Sequence, residues 1–285
     1  MHVIAHGGAG GVSEAPEARQ AVLKDAVEAG ASADTPLDGV ETTIRHLESD
    51  PRFNAGVGGA VQSDGVSRTD GGLMTGDGKV GAAASMPGVE HAISAARVVL
   101  GETPHVLLAG SHATELVADY GVETDCDLWS ADSRERWENT PKAPEDGVNV
   151  QLDWVRERFG GTDTVGAVAT DGDRIAVGTS TAGRWFSLAG RIGDVPQVGS
   201  GFYASDVAAA SATGAGEDIA KATLARVAVQ HVASGELPTA AAESALDEFE
   251  ALTGSTAGLI VLDRAGNRGK AFNSEAMQTA AVGPD

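Results

Sequence analysis

Two short apolar runs, residues 165–169 and 175–179, flank the turn Asp171-Gly172-Asp173. Strand-forming residues on both sides of an Asp-Gly turn make a hairpin, which commits the middle of the chain to antiparallel pairing. A second unit of the same kind closes the chain, with strands at 259–262 and 270–272 about a turn at 263–267. Helical periodicity comes in pairs. Ala18, Ala21, Val22 and Ala26 mark a helix over 16–29, and Leu37, Val40, Ile44 and Leu47 mark another over 36–47. Further helices are predicted over 91–100, 111–120, 217–233 and 239–252. Strands are predicted at 3–5, near Ala60-Val61 and at 80–85, while 205–210 fits either state. Local hairpins and paired helices, without strict alternation, favour antiparallel sheets covered by helices, an α+β fold, over a doubly wound one.

Charge narrows the class of function. Asp and Glu number 41 against 20 Lys and Arg, a formal net charge of -21, so neither nucleic acid nor an anionic lipid surface is an expected partner. Only five of the cations are Lys, at 24, 79, 142, 221 and 270. An acidic, lysine-poor surface suits concentrated salt, where the Debye length falls to roughly 3 Å at 1 M. A salt-loving (halophilic) cytoplasm is therefore the expected setting. One cysteine, Cys126, rules out an internal disulfide and a thiolate-rich zinc site. No apolar run approaches the ~18 residues of a membrane span, and the start reads straight into a strand rather than a signal peptide.

Between 123 and 163 apolar periodicity fades while charges, Pro141, Pro144 and Gly160-Gly161 accumulate. This segment reads as a linker, with a short helix over 152–159. Generic motif tests are negative: the chain has no Walker loop, no His-Glu-x-x-His and no Gly-x-Ser-x-Gly elbow. The His residues show no metal-ligand spacing, and His112 with Glu115 reads as a solvated helix face.

A threonine-rich constellation remains. Thr164 opens the first hairpin strand, Thr179 and Thr181 end its partner, Arg191 and Asp194 follow, and Thr213-Gly214-Ala215-Gly216-Glu217 precedes a helix. Hydroxyls can attack a carbonyl or hydrogen-bond an oxyanion. Arg can grip a carboxylate bidentately while Asp holds an ammonium, so this pair would recognise the zwitterionic end of an amino acid. The residues alone leave plainer readings open. Thr is a common strand residue, and Arg-x-x-Asp is a common surface ion pair or turn.

Five blocks carry a resemblance. They are Asp163-Thr164-Val165-Gly166-Ala167-Val168-Ala169, Thr179-Ser180-Thr181-Ala182-Gly183, Gly190-Arg191-Ile192-Gly193-Asp194-Val195-Pro196, Val198-Gly199-Ser200-Gly201-Phe202-Tyr203-Ala204 and Thr213-Gly214-Ala215-Gly216-Glu217. In this order they resemble the β-subunit of the plant-type L-asparaginase and isoaspartyl peptidase family, N-terminal nucleophile hydrolases related to glycosylasparaginase. His6-Gly7-Gly8-Ala9-Gly10 and Phe53-Asn54-Ala55-Gly56-Val57-Gly58 resemble its α-subunit motifs. The resemblance implies a four-layer αββα sandwich, one domain cut by its own chemistry into residues 1–163 and 164–285, and assembly as (αβ)2.

Roles follow position by position from that resemblance. Thr164 matches the nucleophile, freed when the Asp163–Thr164 bond is cut, and its new α-amine serves as its own general base. Thr181 matches the residue that hydrogen-bonds that amine and hydroxyl, with Thr179 on the same strand face. Arg191 matches the clamp on the substrate α-carboxylate and Asp194 the acceptor of its α-ammonium. Thr213 and Gly214 match the oxyanion hole, and Gly216 keeps that loop open. Asn54 matches an Asn close to the nucleophile. The loop that begins at Leu47 and ends at Val57 resembles one whose main-chain carbonyls hold a sodium ion, which would be structural. No other cofactor is expected.

Departures from the family lie near the site. Asp70-Gly71-Gly72-Leu73-Met74-Thr75-Gly76 stands where the family carries Asp-Ala-Ser-Ile-Met-Asp-Gly, Ala182 replaces a common Gly, and Ala215 replaces a frequent Thr. They bear on substrate preference rather than reaction class. The implied activity is release of ammonia from L-asparagine, extending to β-aspartyl dipeptides. A glycosylasparaginase-like activity and a catalytically silent small-molecule-binding relative are the alternatives.

Overall fold

The computed structural model describes residues 1–144, 147–158 and 164–283. Strand β1 (His2–Gly10) leads into helices α1 (Pro16–Ala31) and α2 (Pro36–Glu48). Both helices carry proline in the first turn, where its missing N–H is not needed. Thr35 caps α2, its hydroxyl accepting the Asp38 N–H at 3.2 Å. Next come β2 (Arg68–Thr75), β3 (Val80–Pro87), α3 (Ala92–Glu102), β4 (Leu107–Ala109), α4 (Gly110–Asp119), α5 (Ala131–Glu138) and α6 (Val148–Arg158). From Val165 onward the order is β5 (Val165–Thr170), β6 (Ile175–Thr181), β7 (Phe202–Ala204), β8 (Ala208–Gly214), α7 (Gly216–Ala222), α8 (Leu224–Ala233), α9 (Pro238–Thr253), β9 (Ala257–Asp263), β10 (Arg268–Phe272) and β11 (Ala276–Val282).

Among the described residues the strands form two sheets, ordered β11-β1-β5-β6-β2-β3-β4 and β10-β9-β8-β7. Pairing within them is antiparallel except between β3 and β4. Three apolar layers hold them. Leu23, Val27, Ile44 and Leu47 of α1 and α2 pack on Val165, Ala167 and Ala169. Leu224, Val229 and Phe249 of α8 and α9 pack on Ala210, Leu259 and Val261. Between the sheets, Ile4, Val168 and Val177 meet Phe202, Ala209 and Ile260. Strands β5 and β6 are thus covered on both faces and buried along their whole length, which is why they read as continuous apolar runs.

Several elements differ from the sequence expectation. No strand forms at Ala60-Val61. That segment is instead stitched to the loop after β6, with Phe186 N–H donating to Val61 C=O at 2.9 Å and Ser63 N–H to Ser187 C=O at 2.8 Å. The helix expected over 217–233 breaks at Thr223, which takes the left-handed conformation (φ 51°, ψ 47°). Beyond the break, Ala225 and Arg226 N–H groups turn to the carbonyls of Ser200 and Gly199, at 3.2 and 2.9 Å. The ambiguous 205–210 stretch enters strand β8, and the closing hairpin continues into β11, which crosses to the larger sheet.

The expected linker is the largest correction. Its described part carries α5, opened by a Ser130–Ser133 capping box, and α6, which starts earlier than the predicted 152–159 helix. All four tryptophans gather there around Phe186. Arg136 lies 4.4 Å over the Trp185 ring, Lys142 4.1 Å over Trp137 and Arg158 5.3 Å over Trp154. Ring and cation–π contacts organise this segment. They leave no 3.6-residue aliphatic pattern to be read.

Candidate active site

The register of the sheet builds the first part of the site. Strands β5 and β6 pair Val165 with Ser180 and Gly166 with Thr179. One step further along this register sets Thr164 across from Thr181. On the other side of β6, Thr181 pairs with Asp70 of β2. Directly opposed residues present their side chains on one sheet face. Thr164, Thr181 and Asp70 therefore form a row, on the face that Val168 and Val177 turn toward the smaller sheet.

That smaller sheet supplies the facing wall. A Cβ at Gly166 would collide with Ser211 Oγ of β8 and stand 2.5 Å from His6 Nε2, so β5 and β8 approach closely here. Two residues beyond this contact, on the same strand faces, stand Thr164 and Thr213. Thr164 is 6% exposed, Thr181 3% and Thr213 not at all. Gly214 follows at φ +137°, a conformation that favours glycine. His6 is bonded to Ser211 Oγ at 2.7 Å, and burial pushes its imidazole down to about 3. It stays neutral at ordinary pH and is no candidate for a charged partner.

The loop after β6 supplies charge. Arg191 Nε donates to Glu217 Oε1 at 2.9 Å, and Glu217 Oε2 accepts from Arg184 Nη1 at 3.2 Å. Burial works to raise the Glu217 pKa, but the bond and charge of Arg191, a backbone amide and Arg184 together outweigh it and hold the carboxyl below its usual range. Asp194 is buried, and burial pushes it up to about 6 against the pull of Arg191. Its Oδ2 has no hydrogen-bond partner among the described residues. Gly216 closes the set. A Cβ there would stand 2.5 Å from Asp194 Oδ1 and 2.8 Å from Arg191 Nη2, so glycine leaves room between cation and anion. A half-buried guanidinium and a buried carboxyl at one gap suit a ligand carrying both opposite charges.

Other expected residues fall beside this gap. Asn54 Nδ2 donates to Gly183 C=O at 2.6 Å, and its Oδ1 accepts the Ala60 N–H at 2.8 Å. Its main-chain carbonyl accepts the Ala182 N–H at 3.0 Å, so Asn54 braces the end of β6. Thr179 Oγ1 donates to Val195 C=O at 3.2 Å and ties β6 to the segment after Asp194. Asp163 lies outside the described residues. Sequence reasoning did not single out Arg184 or the ion-pairing of Glu217, although Glu217 ends the Thr213 block. Asp70 it placed only within a variant motif. Among the described residues no group of three or more His, Cys, Asp or Glu could hold a metal ion, and no helix is long and apolar enough to cross a membrane.

Comparisons with known proteins agree over the full length. The asparaginase family profile matches residues 1–285. A plant-type L-asparaginase of Pyrococcus abyssi is 36% identical over 290 residues, covering 98% of this chain and 95% of that protein. A plant-type L-asparaginase of Pyrobaculum calidifontis is 38% identical, with 96% and 94% covered. An isoaspartyl peptidase/L-asparaginase of Xenopus laevis is 34% identical, with 99% and 92% covered. With sequence and profile matched from end to end, the chain belongs to the asparaginase family of hydrolases.

Proposed function

We propose that the protein is an autoprocessing threonine amidohydrolase that converts L-asparagine to L-aspartate and ammonia and also cleaves β-aspartyl dipeptides. The observation that carries the reading is a chain of neighbours: Thr164, at the head of β5, stands in one row with Thr181 and Asp70, and Asp70 is within electrostatic reach of Arg191 and Asp194, which flank the gap kept open by Gly216. Both substrates offer a free α-carboxylate and α-ammonium beside a scissile side-chain amide, which fits that gap.

In the processing step the Thr164 hydroxyl attacks the preceding carbonyl, the acyl group shifts from nitrogen to oxygen, and water hydrolyses the ester. This frees an α-amine with a reference pKa of ~7.7–8.0, able to accept the hydroxyl proton near neutral pH. The neutral, buried His6 is consistent with a site that needs no imidazole base. Attack on the substrate carbonyl forms an oxyanion that Thr213 Oγ–H and Gly214 N–H would receive. Ammonia leaves with the proton held by the amine. Water then resolves the Thr164 ester by the same route and releases aspartate.

The packing of helices on the outer faces of two mutually packed sheets supports a four-layer αββα sandwich of the N-terminal nucleophile type. In the loop from Leu47 to Val57, Val57 N–H closes on Glu48 C=O at 2.9 Å, and a Cβ at Gly56 would stand 2.9 Å from Glu90 C=O. Main-chain oxygens lining a closed loop suit a hard monovalent cation. A structural sodium ion there would raise the melting temperature in sodium chloride over choline chloride at equal ionic strength, and equal melting in both would count against it. Assembly as (αβ)2 and a halophilic cytoplasm belong to the same reading, and sedimentation at high and low salt tests both.

The deciding experiment pairs a denaturing gel with ammonia release. Fragments of residues 1–163 and 164–285, with turnover of asparagine and β-aspartyl-leucine, are expected. A single uncut band without turnover would point to a silent binding protein. Turnover of glycoasparagine alone would point to the glycosylasparaginase reading.

A further inference from the structure

We propose that Asp70 is a positioning residue for the substrate clamp: from the row of Thr164 and Thr181 it holds the 190–194 loop through the Gly193 N–H, and so fixes where Arg191 and Asp194 stand.

Three features of the fold converge on this carboxyl. The first is its place, directly across β6 from Thr181 and on the same sheet face. The second is a β-bulge. Thr69 pairs with Met86 but Gly71 with Ala83, so Asp70 alone stands opposite both Ala84 and Ser85. Ser85 takes a left-handed backbone (φ 54°), uncommon for a residue with a side chain. The bulge turns the Ser85 N–H away from the ladder and onto Asp70 Oδ1 at 2.7 Å. The third is the reach of the carboxyl toward the loop after β6, where the Gly193 N–H faces it.

Gly193 lies between the two clamp residues and beneath one of them. A Cβ there would stand 2.7 Å from Arg191 Nη1 and 2.9 Å from its Cζ, so the guanidinium folds back over this glycine. Whatever fixes the Gly193 amide fixes the floor under Arg191 and the chain leading to Asp194. Asp70 is 3% exposed. Burial pushes it up to about 7, with Arg191 and the two amides opposing and Asp194 adding to the rise. Arg191 and Asp194 are the charged groups facing it, and Glu217 and Arg184 stand behind Asp194. Above about 7 the ionised carboxyl attracts both amides more strongly and adds negative charge near the ammonium site. Binding of an aspartyl substrate should therefore tighten as pH rises through that value.

The inference rests on reading Arg191 and Asp194 as the substrate clamp. Its test uses processed enzyme, with Asp70→Asn keeping size but not charge and Asp70→Ala keeping neither. KM and kcat for asparagine are measured from pH 6 to 8.5. Asp70→Asn should raise KM at least about tenfold, as expected for loss of a charged hydrogen-bond acceptor, and Asp70→Ala should raise it further. In both, kcat should stay within about threefold, because the Thr164 amine and the oxyanion donors are untouched. Wild-type KM should fall as pH rises through about 7, and Asp70→Asn should lose that fall. An unchanged KM in Asp70→Asn, or a drop in kcat at constant KM, overturns the inference. If neither variant matures, the wild-type profile decides, and a flat KM between pH 6 and 8 overturns it equally. A wild-type enzyme that turns over neither asparagine nor β-aspartyl-leucine overturns the clamp reading itself.

Discussion

Strand β6 presents two different faces to two buried carboxyls. On the side of α2, Ser180 donates to Glu48 Oε1 at 2.5 Å, with Ile93 N–H at 3.0 Å and His91 Nδ1 at 3.3 Å completing the cage. On the side of the smaller sheet, Asp70 takes the Ser85 amide but also faces the Gly193 amide, Arg191 and the carboxyl of Asp194. Burial pushes both carboxyls up. The difference is what lies next to them. Glu48 is enclosed by donors of the protein itself and joins helix to sheet. Asp70 borders a gap with opposite charges on its walls. Equal burial thus serves cohesion on one face and, on the proposed reading, reception of a ligand on the other.

The largest test of this contrast removes the nucleophile. Thr164→Ala should abolish both chain cleavage and ammonia release while leaving cooperative unfolding intact. Processing that persisted in this variant would move the chemistry away from this face altogether. Thr213→Val comes next. Loss of one oxyanion donor should lower kcat on the order of 100-fold with KM little changed, and a pure KM effect would mean that Thr213 binds ground-state substrate instead. The smallest effect belongs to the α2 face. Because burial raises the folded-state pKa of Glu48, the native state holds that proton more tightly than the unfolded chain. Its contribution is therefore fully present below the unfolded value of ~4.3 and is lost as pH rises toward the folded one. Glu48→Gln should flatten the decline of melting temperature over this range and leave kcat within about twofold. A large fall in kcat would erase the distinction between the faces.

How much of this was legible depended on how local the cause was. The β5–β6 hairpin and helix α2 were readable because an Asp-Gly turn and an apolar stripe of Leu37, Val40, Ile44 and Leu47 act within a few residues. Strand β2 was not, because Thr69-Asp70-Gly71-Gly72 shows no β-branched alternation and is held by its neighbours. The break at Thr223 depends on carbonyls of Gly199 and Ser200, more than twenty residues earlier. In the site, composition and spacing left Arg191 and Asp194 open to reading as a surface ion pair. The burial of Asp194 and the bonding of Arg191 to Glu217 instead remove that reading. The bulge at Asp70 had no sequence signal, since it exists only as a mismatch of one residue against two across a pair of strands.

The order of the larger sheet has a mechanical consequence. Strand β1 is flanked by β5 and β11, while β6 is flanked by β5 and β2. A cut before Thr164 would leave two polypeptides woven strand by strand into one hydrogen-bonded fabric. Neither piece could be withdrawn without tearing several ladders at once. The severed enzyme should therefore survive dilution without dissociating, and its halves, once separated by denaturant, should find each other again only by rebuilding the whole sheet.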